Sequence, residues 1–199
     1  MSRASTMASM NVAERMTADE YLAIDEERRN EQLIAGEVVV TEAAWDHQRL
    51  VGLLHVRLFN WIGAGEGRGT VALPLDVKLD AENVYAPDVL WYATGRGPAT
   101  DRPRPHPVPD IAVEVRSPST WRYDLGTKKS TYEAHGLPEL WLVDTDGACV
   151  LVYRRSRQDA PAFDVELELD RDDSLASPQL PGFALALEEA FGAAPDAAV

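Results

Sequence analysis

Two carboxylates stand where the chain otherwise reads as buried strand. In "DIAVEVRSPST" (110–120), Glu114 lies among Ile111, Ala112, Val113 and Val115, with Arg116 two residues on. A glutamate is almost never buried unless something pairs with it. Asp88 follows Pro87 at the head of a second apolar stretch, "APDVLWYA". Strand side chains alternate faces, which groups Glu114 with Ala112 and Arg116, and Asp88 with Leu90 and Tyr92. If the two strands are neighbours, the acids converge on one place. Converging carboxylates repel and raise a pKa unless a cation sits between them. Oxygen ligands with open water positions suit Mg²⁺ or Mn²⁺. The plainer alternative pairs Glu114 with Arg116 or another base across the sheet and makes Asp88 a strand cap.

The elements that must position these residues are legible in outline. "TADEYLAIDEERR" opens on Thr17 with Glu20 three residues later, a capping box for a helix over 17–29. "QLIAGEVVVTE" reads as two strands around a turn at Ala35-Gly36. Leu50, Val51, Leu54, Leu58, Trp61 and Ile62 recur at helical spacing over 46–62. "TVALPLDVKLD" and "VYAPDVLWYA" read as two strand-like stretches, followed by a Pro-rich surface loop over 94–109. The strand holding Glu114 comes next, then a helix over 124–135 ending at Gly136, then the strand "PELWLVD". Asp146-Gly147 reads as a hairpin turn into "ACVLVYRR". "FDVELELD" is an alternating strand, and "PGFALALEEAFG" a short strand with a helical turn. This order predicts an α/β or mixed α+β fold. A flexible leader over 1–15, a single domain over 16–192 and a tail over 193–199 are expected.

Composition excludes several classes. The chain has 199 residues, 45% of them hydrophobic and 26% charged, as in an ordinary globular protein. It holds no apolar run of the ~18 residues needed to cross a membrane, and its start lacks the apolar core of a signal peptide. The cytoplasm is the expected location. Cys149 is alone, which excludes a disulfide framework, and its setting in "ACVLVY" predicts a small buried residue. The net charge of −14 argues against a non-specific nucleic-acid binder. Much of that charge sits in residues 161–199, which hold nine acids and one base, Arg171. His47 and His55 are two helical turns apart, too far for a zinc pair. Ser117 and Ser119 flank Pro118 without a nucleophile elbow. Trp45, Trp61, Trp91, Trp121 and Trp141 read as core or cleft wall.

Pro87-Asp88 followed by Glu114-Val115-Arg116 resembles the PD-(D/E)XK nuclease pattern. The wider context is more specific: "EYLA", "LIAGEVVV", His47 opening a helix, "APDV", "VEVRSPST" and "YDLGTKKSTYEAHGLPELWLVD". Together they resemble the Uma-two family of restriction-endonuclease-like proteins, widespread in bacteria. The likeness runs from about residue 16 to 155 and more loosely to "LPGFALAL". It implies a restriction-endonuclease-like core, a mixed β-sheet flanked by helices, and a Mg²⁺- (or Mn²⁺-) dependent endonuclease that hydrolyses DNA through a metal-activated water. By the same resemblance Asp88, Glu114 and the Val115 carbonyl hold the metal, and a lysine steers or deprotonates the water. His47, Asp124 and Tyr132 support the site, and a homodimer is the usual assembly.

Two departures stand out. Arg116 replaces the expected lysine and, always protonated, serves only to neutralise phosphate. The amine then falls to Lys128, at the family's lysine position, with Lys129 the weaker choice. Gln32 stands where the family usually has an acid, and Glu31 is one residue off. A catalytically weakened relative that binds nucleic acid or protein is therefore the main alternative. A metal-free carboxylate-pair hydrolase with one high-titrating acid, of the glycosidase kind, is the second.

Overall fold

Thr17 caps the first helix as its sequence predicts: the Glu20 N–H donates to its hydroxyl at 3.3 Å, and its own N–H donates to the Glu20 carboxylate at 2.8 Å. The computed structural model describes residues 15–24, 30–99 and 104–192. Residues 1–14 of the expected leader, residues 25–29 of the expected first helix, residues 100–103 of the Pro-rich loop and the tail 193–199 lie outside the described residues.

Helix α1 (Ala18–Ala23) precedes the hairpin of β1 (Glu31–Ile34) and β2 (Glu37–Val40), and then the long helix α2 (Trp45–Gly63). Four short strands follow: β3 (Thr70–Ala72), β4 (Val77–Lys78), β5 (Val84–Tyr85) and β6 (Val89–Tyr92). From β7 (Ile111–Val115) the chain runs through α3 (Trp121–Tyr123), a π-helical turn (Asp124–Lys128) and α4 (Lys129–Ala134) to β8 (Glu139–Asp144). Strands β9 (Cys149–Arg154), β10 (Val165–Leu169), β11 (Ser174–Leu175) and β12 (Leu185–Ala186) lead to α5 (Leu187–Phe191).

The main sheet has the order β10-β9-β8-β7-β6-β3, a second sheet the order β2-β1-β5-β4, and β11 pairs β12. Strands β7 and β8 run parallel while their outer neighbours are antiparallel. A parallel pair needs a long crossover, and the helical stretch 121–134 supplies it. Strand β7 is sealed on both faces. Ile111, Val113 and Val115 join Leu50, Leu54, Leu58 and Trp61 of α2 in one core, which the C-terminal Phe183 and Leu185 complete. Ala112 joins Leu140, Leu142, Tyr85, Ile34 and Tyr132 in the other. Burial of each such leucine contributes roughly 1.5–3 kcal/mol, which makes α2 a firm platform.

Several expectations are corrected. The two stretches around residues 70–92 form four strands, because Pro74 and Pro87 have no N–H for a ladder and break each run. The halves then part: β3 and β6 join the main sheet, β4 and β5 the second. The first helix stops at Ala23, with Ile24 already extended. The single helix expected over 124–135 is a π turn followed by α4. Turn chemistry holds at Ala35-Gly36, where φ values of 50° and 77° close a two-residue hairpin. It differs at Asp146-Gly147, where Ala148 rather than Gly147 takes the positive φ. There Asp144 Oδ1 accepts the N–H groups of Asp146 and Gly147, each at 3.0 Å. A Cβ on Gly147 would lie 3.0 Å from Asp144 Oδ2, so close approach explains this glycine. Trp61, Trp91 and Trp141 are core, but Trp45 is 82% exposed at the start of α2. Cys149 is buried.

Candidate active site

Val89 of β6 lies opposite Val113 of antiparallel β7, so Asp88 sits across from Glu114 just beyond the paired residues. This is the adjacency that convergence of the two acids requires. The ladder stops at Val89, and the Val115 N–H donates instead to Asp88 Oδ2 at 2.7 Å.

Glu114 is 3% exposed and fully engaged. Lys128 Nζ lies 2.7 Å from Oε2, and Tyr132 Oη donates to Oε1 at 2.8 Å. Lys128, itself 1% exposed, is also 2.9 Å from Asp124 Oδ1. Asp124 and Lys128 bound the π turn, and Tyr132 follows one helical turn later on the same side of α4. A single widened turn inside a helix is a recurrent feature of functional sites. Here it brings a carboxylate and an ammonium together against the sheet.

Burial pushes the Glu114 carboxyl up to about 7; Lys128 opposes the rise, while Asp124 and Asp88 add to it. Burial disfavours the Lys128 ammonium, but Asp124 and Glu114 outweigh it and hold the amine above the ordinary lysine range. Lys128 is thus a permanent donor, and the expected role of deprotonating a water does not suit it. Burial and the neighbouring Glu114 raise the Tyr132 hydroxyl well above its ordinary value, so it too remains a donor.

On the α2 side, His47 Nε2 approaches Asp88 Oδ2 at 3.2 Å. Burial lowers the His47 pKa, but its contact with Asp88 prevails and the net shift is upward. The imidazole is 4% exposed, and its Nδ1 has no hydrogen-bond partner among the described residues. Gln32 Oε1 accepts the Ala86 N–H at 3.2 Å. His47, Asp88 and Gln32 line one cavity of about 370 Å³, together with Gln48, Leu73 and Pro74.

Arg116 is not part of this arrangement. It pairs with Asp144 and Asp146 at 2.8 Å each and lies over the Trp121 ring. Lys129 turns away, pairing with Glu166 at 3.3 Å and lying 3.9 Å from the Tyr153 ring centroid. Ser117 shares a 2.6 Å hydrogen bond with Thr120, and its carbonyl accepts the N–H groups that start α3. His55 stacks on Phe59. Glu139, from the "ExW" part of the resemblance, is fully buried at the other end of the sheet. It accepts from Trp141 Nε1 at 2.7 Å, Ser177 Oγ at 2.7 Å and Arg154 Nη2 at 3.1 Å, with Arg154 Nε in ion-pair range at 3.0 Å.

Among the described residues, no group of three or more His, Cys, Asp or Glu is arranged to hold a metal ion. The donors at hand are two carboxylates and the Val115 carbonyl. Mg²⁺ sites commonly use one or two carboxylates and complete themselves with water and substrate phosphate. A carboxylate offers about four lone-pair positions, so Glu114 can keep its two donors and still accept a cation. The donor set therefore fits a hard divalent ion. Sequence reasoning missed Tyr85, which packs edge-on against Tyr132 at 5.2 Å and lies under Lys128. Its place just before the Pro87-Asp88 pair was the available signal.

Comparison with known proteins gives two likenesses. The profile of the Uma2 family, described as "Putative restriction endonuclease", matches residues 18–188. A solved structure, "a putative nuclease belonging to DUF820 from Anabaena variabilis ATCC 29413", superposes with a TM-score of 0.71 at 19% identity. That match covers 88% of this chain and 97% of the other. At this identity the likeness establishes the fold. No curated protein matches the chain.

Proposed function

The chain belongs to the Uma2 family of restriction-endonuclease-like proteins, and from that premise we propose that it is a metal-dependent endonuclease hydrolysing DNA phosphodiester bonds. The observation that carries this reading is the junction of Asp88, immediately before β6, with the buried Glu114–Lys128 pair. Three residues distant in sequence meet there at one end of the main sheet. Asp88, Glu114 and the Val115 carbonyl would hold Mg²⁺ or Mn²⁺, which supplies an acidified water and neutralises charge on the phosphate. Lys128 holds Glu114 in place and offers N–H donors to the attacking water or the phosphate. Asp124 keeps that amine charged, and Tyr132 fixes the Glu114 carboxylate. His47 orients Asp88 from the α2 side.

The test is cleavage of plasmid DNA by purified protein with Mg²⁺ or Mn²⁺, alongside Asp88→Ala and Glu114→Ala. Metal-dependent cutting by the wild type and none by either variant is expected. Absence of cutting at every metal concentration overturns the reading, and cutting that survives both substitutions places the activity elsewhere.

A weakened relative that binds without cutting is favoured by one observation: Arg116 is committed to Asp144 and Asp146 and leaves the lysine's usual place unfilled. DNA binding without cleavage marks that outcome. The glycosidase alternative gains the high-titrating acid it needs. Yet both Glu114 oxygens face donors, Lys128 on one and Tyr132 on the other, an arrangement that holds a carboxylate rather than presents an acid proton to a glycosidic oxygen.

A further inference from the structure

The cavity beside Asp88 has a lining of acids and amides. No lysine or arginine lines it among the described residues, whereas Glu31, Asp76 and Asp88 do, Glu31 being the acid one residue from the Gln32 position. Its other polar walls are the amides of Asn30, Gln32 and Gln48 and the hydroxyl of Thr41, set against apolar Leu73 and Pro74. At about 370 Å³ it sits at the small end of the roughly 300–1,000 Å³ range of small-molecule sites. Amide edges with flat apolar walls suit a neutral planar heterocycle. The carboxylates of Glu31 and Asp76, apart from the proposed metal ligand Asp88, suit its exocyclic amino groups. His47 adds a second, independent sign. Its Nδ1 is buried on this wall without a partner among the described residues, and buried polar atoms are ordinarily satisfied.

The charges around the site agree. Gripping a continuous duplex requires free cations along both backbones. Arg104 is held by Asp76 at 3.0 Å, Arg116 by Asp144 and Asp146, and the whole chain carries −14.

We propose that this cavity receives one unpaired nucleobase next to the scissile phosphate, so that the protein cuts single-stranded or locally unpaired DNA in preference to continuous duplex. A base beside the cleaved bond reaches such a chamber only when it is out of the stack. The inference rests on the nuclease reading above.

Three end-labelled substrates with Mn²⁺ test it: a single strand, a sealed duplex and the same duplex with a short bulge. The single strand and the bulge should be cut at least tenfold faster than the sealed duplex. Cutting of the single strand alone identifies free strands as the source of the base. Equal or faster cutting of the sealed duplex overturns the proposal. Gln48→Trp fills the chamber from an exposed position of α2. It should raise KM on the single strand at least fivefold with an unchanged circular dichroism spectrum, and an unchanged KM counts against the proposal. If the wild type cuts none of the three, the nuclease reading fails, and the base site is then judged by fluorescence anisotropy with Ca²⁺. Tighter binding of the single strand than of the duplex, weakened by Gln48→Trp, sustains the site; equal binding removes it.

Discussion

Glu114 and Lys128 make opposite demands on the fold, and pH separates them. In the unfolded chain the Glu114 carboxyl ionises near the ordinary glutamate value of 4.5, whereas in the fold it does so near 7. Between those values the native state keeps a proton that the unfolded chain has lost. The stability this contributes is therefore complete below about 4.5 and disappears as pH rises through about 7. Glu114→Gln mimics the protonated form, so the urea midpoint of wild type minus variant should fall across that window; a flat difference would falsify the assignment. Lys128→Met leaves Glu114 and Asp124 buried without their cation and should cost about 3–5 kcal/mol of stability. It should also cut turnover roughly 100–1,000-fold, the scale of losing one aimed donor. Adding Asp124→Asn should restore part of the thermal stability and none of the turnover, because it removes a surplus charge without returning the amine. Full recovery of turnover in the double variant would mean that Lys128 only balances charge.

The π turn is the element that aims this chemistry. Deleting Gly126 removes one residue from it and lets the helix revert to ordinary winding, which swings Asp124 out of register with Lys128. The expected result is a folded protein with lost DNA cleavage, measured by circular dichroism and the plasmid assay; retained cleavage would make the turn incidental. At the opposite end of β8, Glu139 has the contrary character. Its donors include the largely buried Arg154, so Glu139→Ala strands a cation and should lower stability by about 3–5 kcal/mol. Activity per folded molecule, assayed well below the melting temperature, should stay the same.

Charge governs behaviour at the scale of the whole molecule. The net charge is −14, and among the described residues Lys78, Arg104, Arg116 and Lys129 are each already in an ion pair. The slope of log Kd against log salt should therefore be shallow, of magnitude below about 3, since each neutralised phosphate of a single strand adds roughly 0.7. A steep slope, read by anisotropy at several KCl concentrations, would overturn this expectation. The sequence by itself determined the parts that depend on local rules. Alternation placed Glu114 opposite the face of Ile111 and Val113, the capping box started α1 at Thr17, and apolar spacing marked α2 within a residue or two. The PD and ExR fragments together named both acids. Only the tertiary structure decided which cation each acid meets. Arg116, two residues from Glu114, goes to Asp144 at the end of the neighbouring strand and Asp146 in the turn beyond it, while Lys128, fourteen residues on, reaches Glu114. Periodicity fixes the face a side chain leaves from. Ion pairing is settled by strand order and by where the crossover helix lands, neither of which is a local property of the chain.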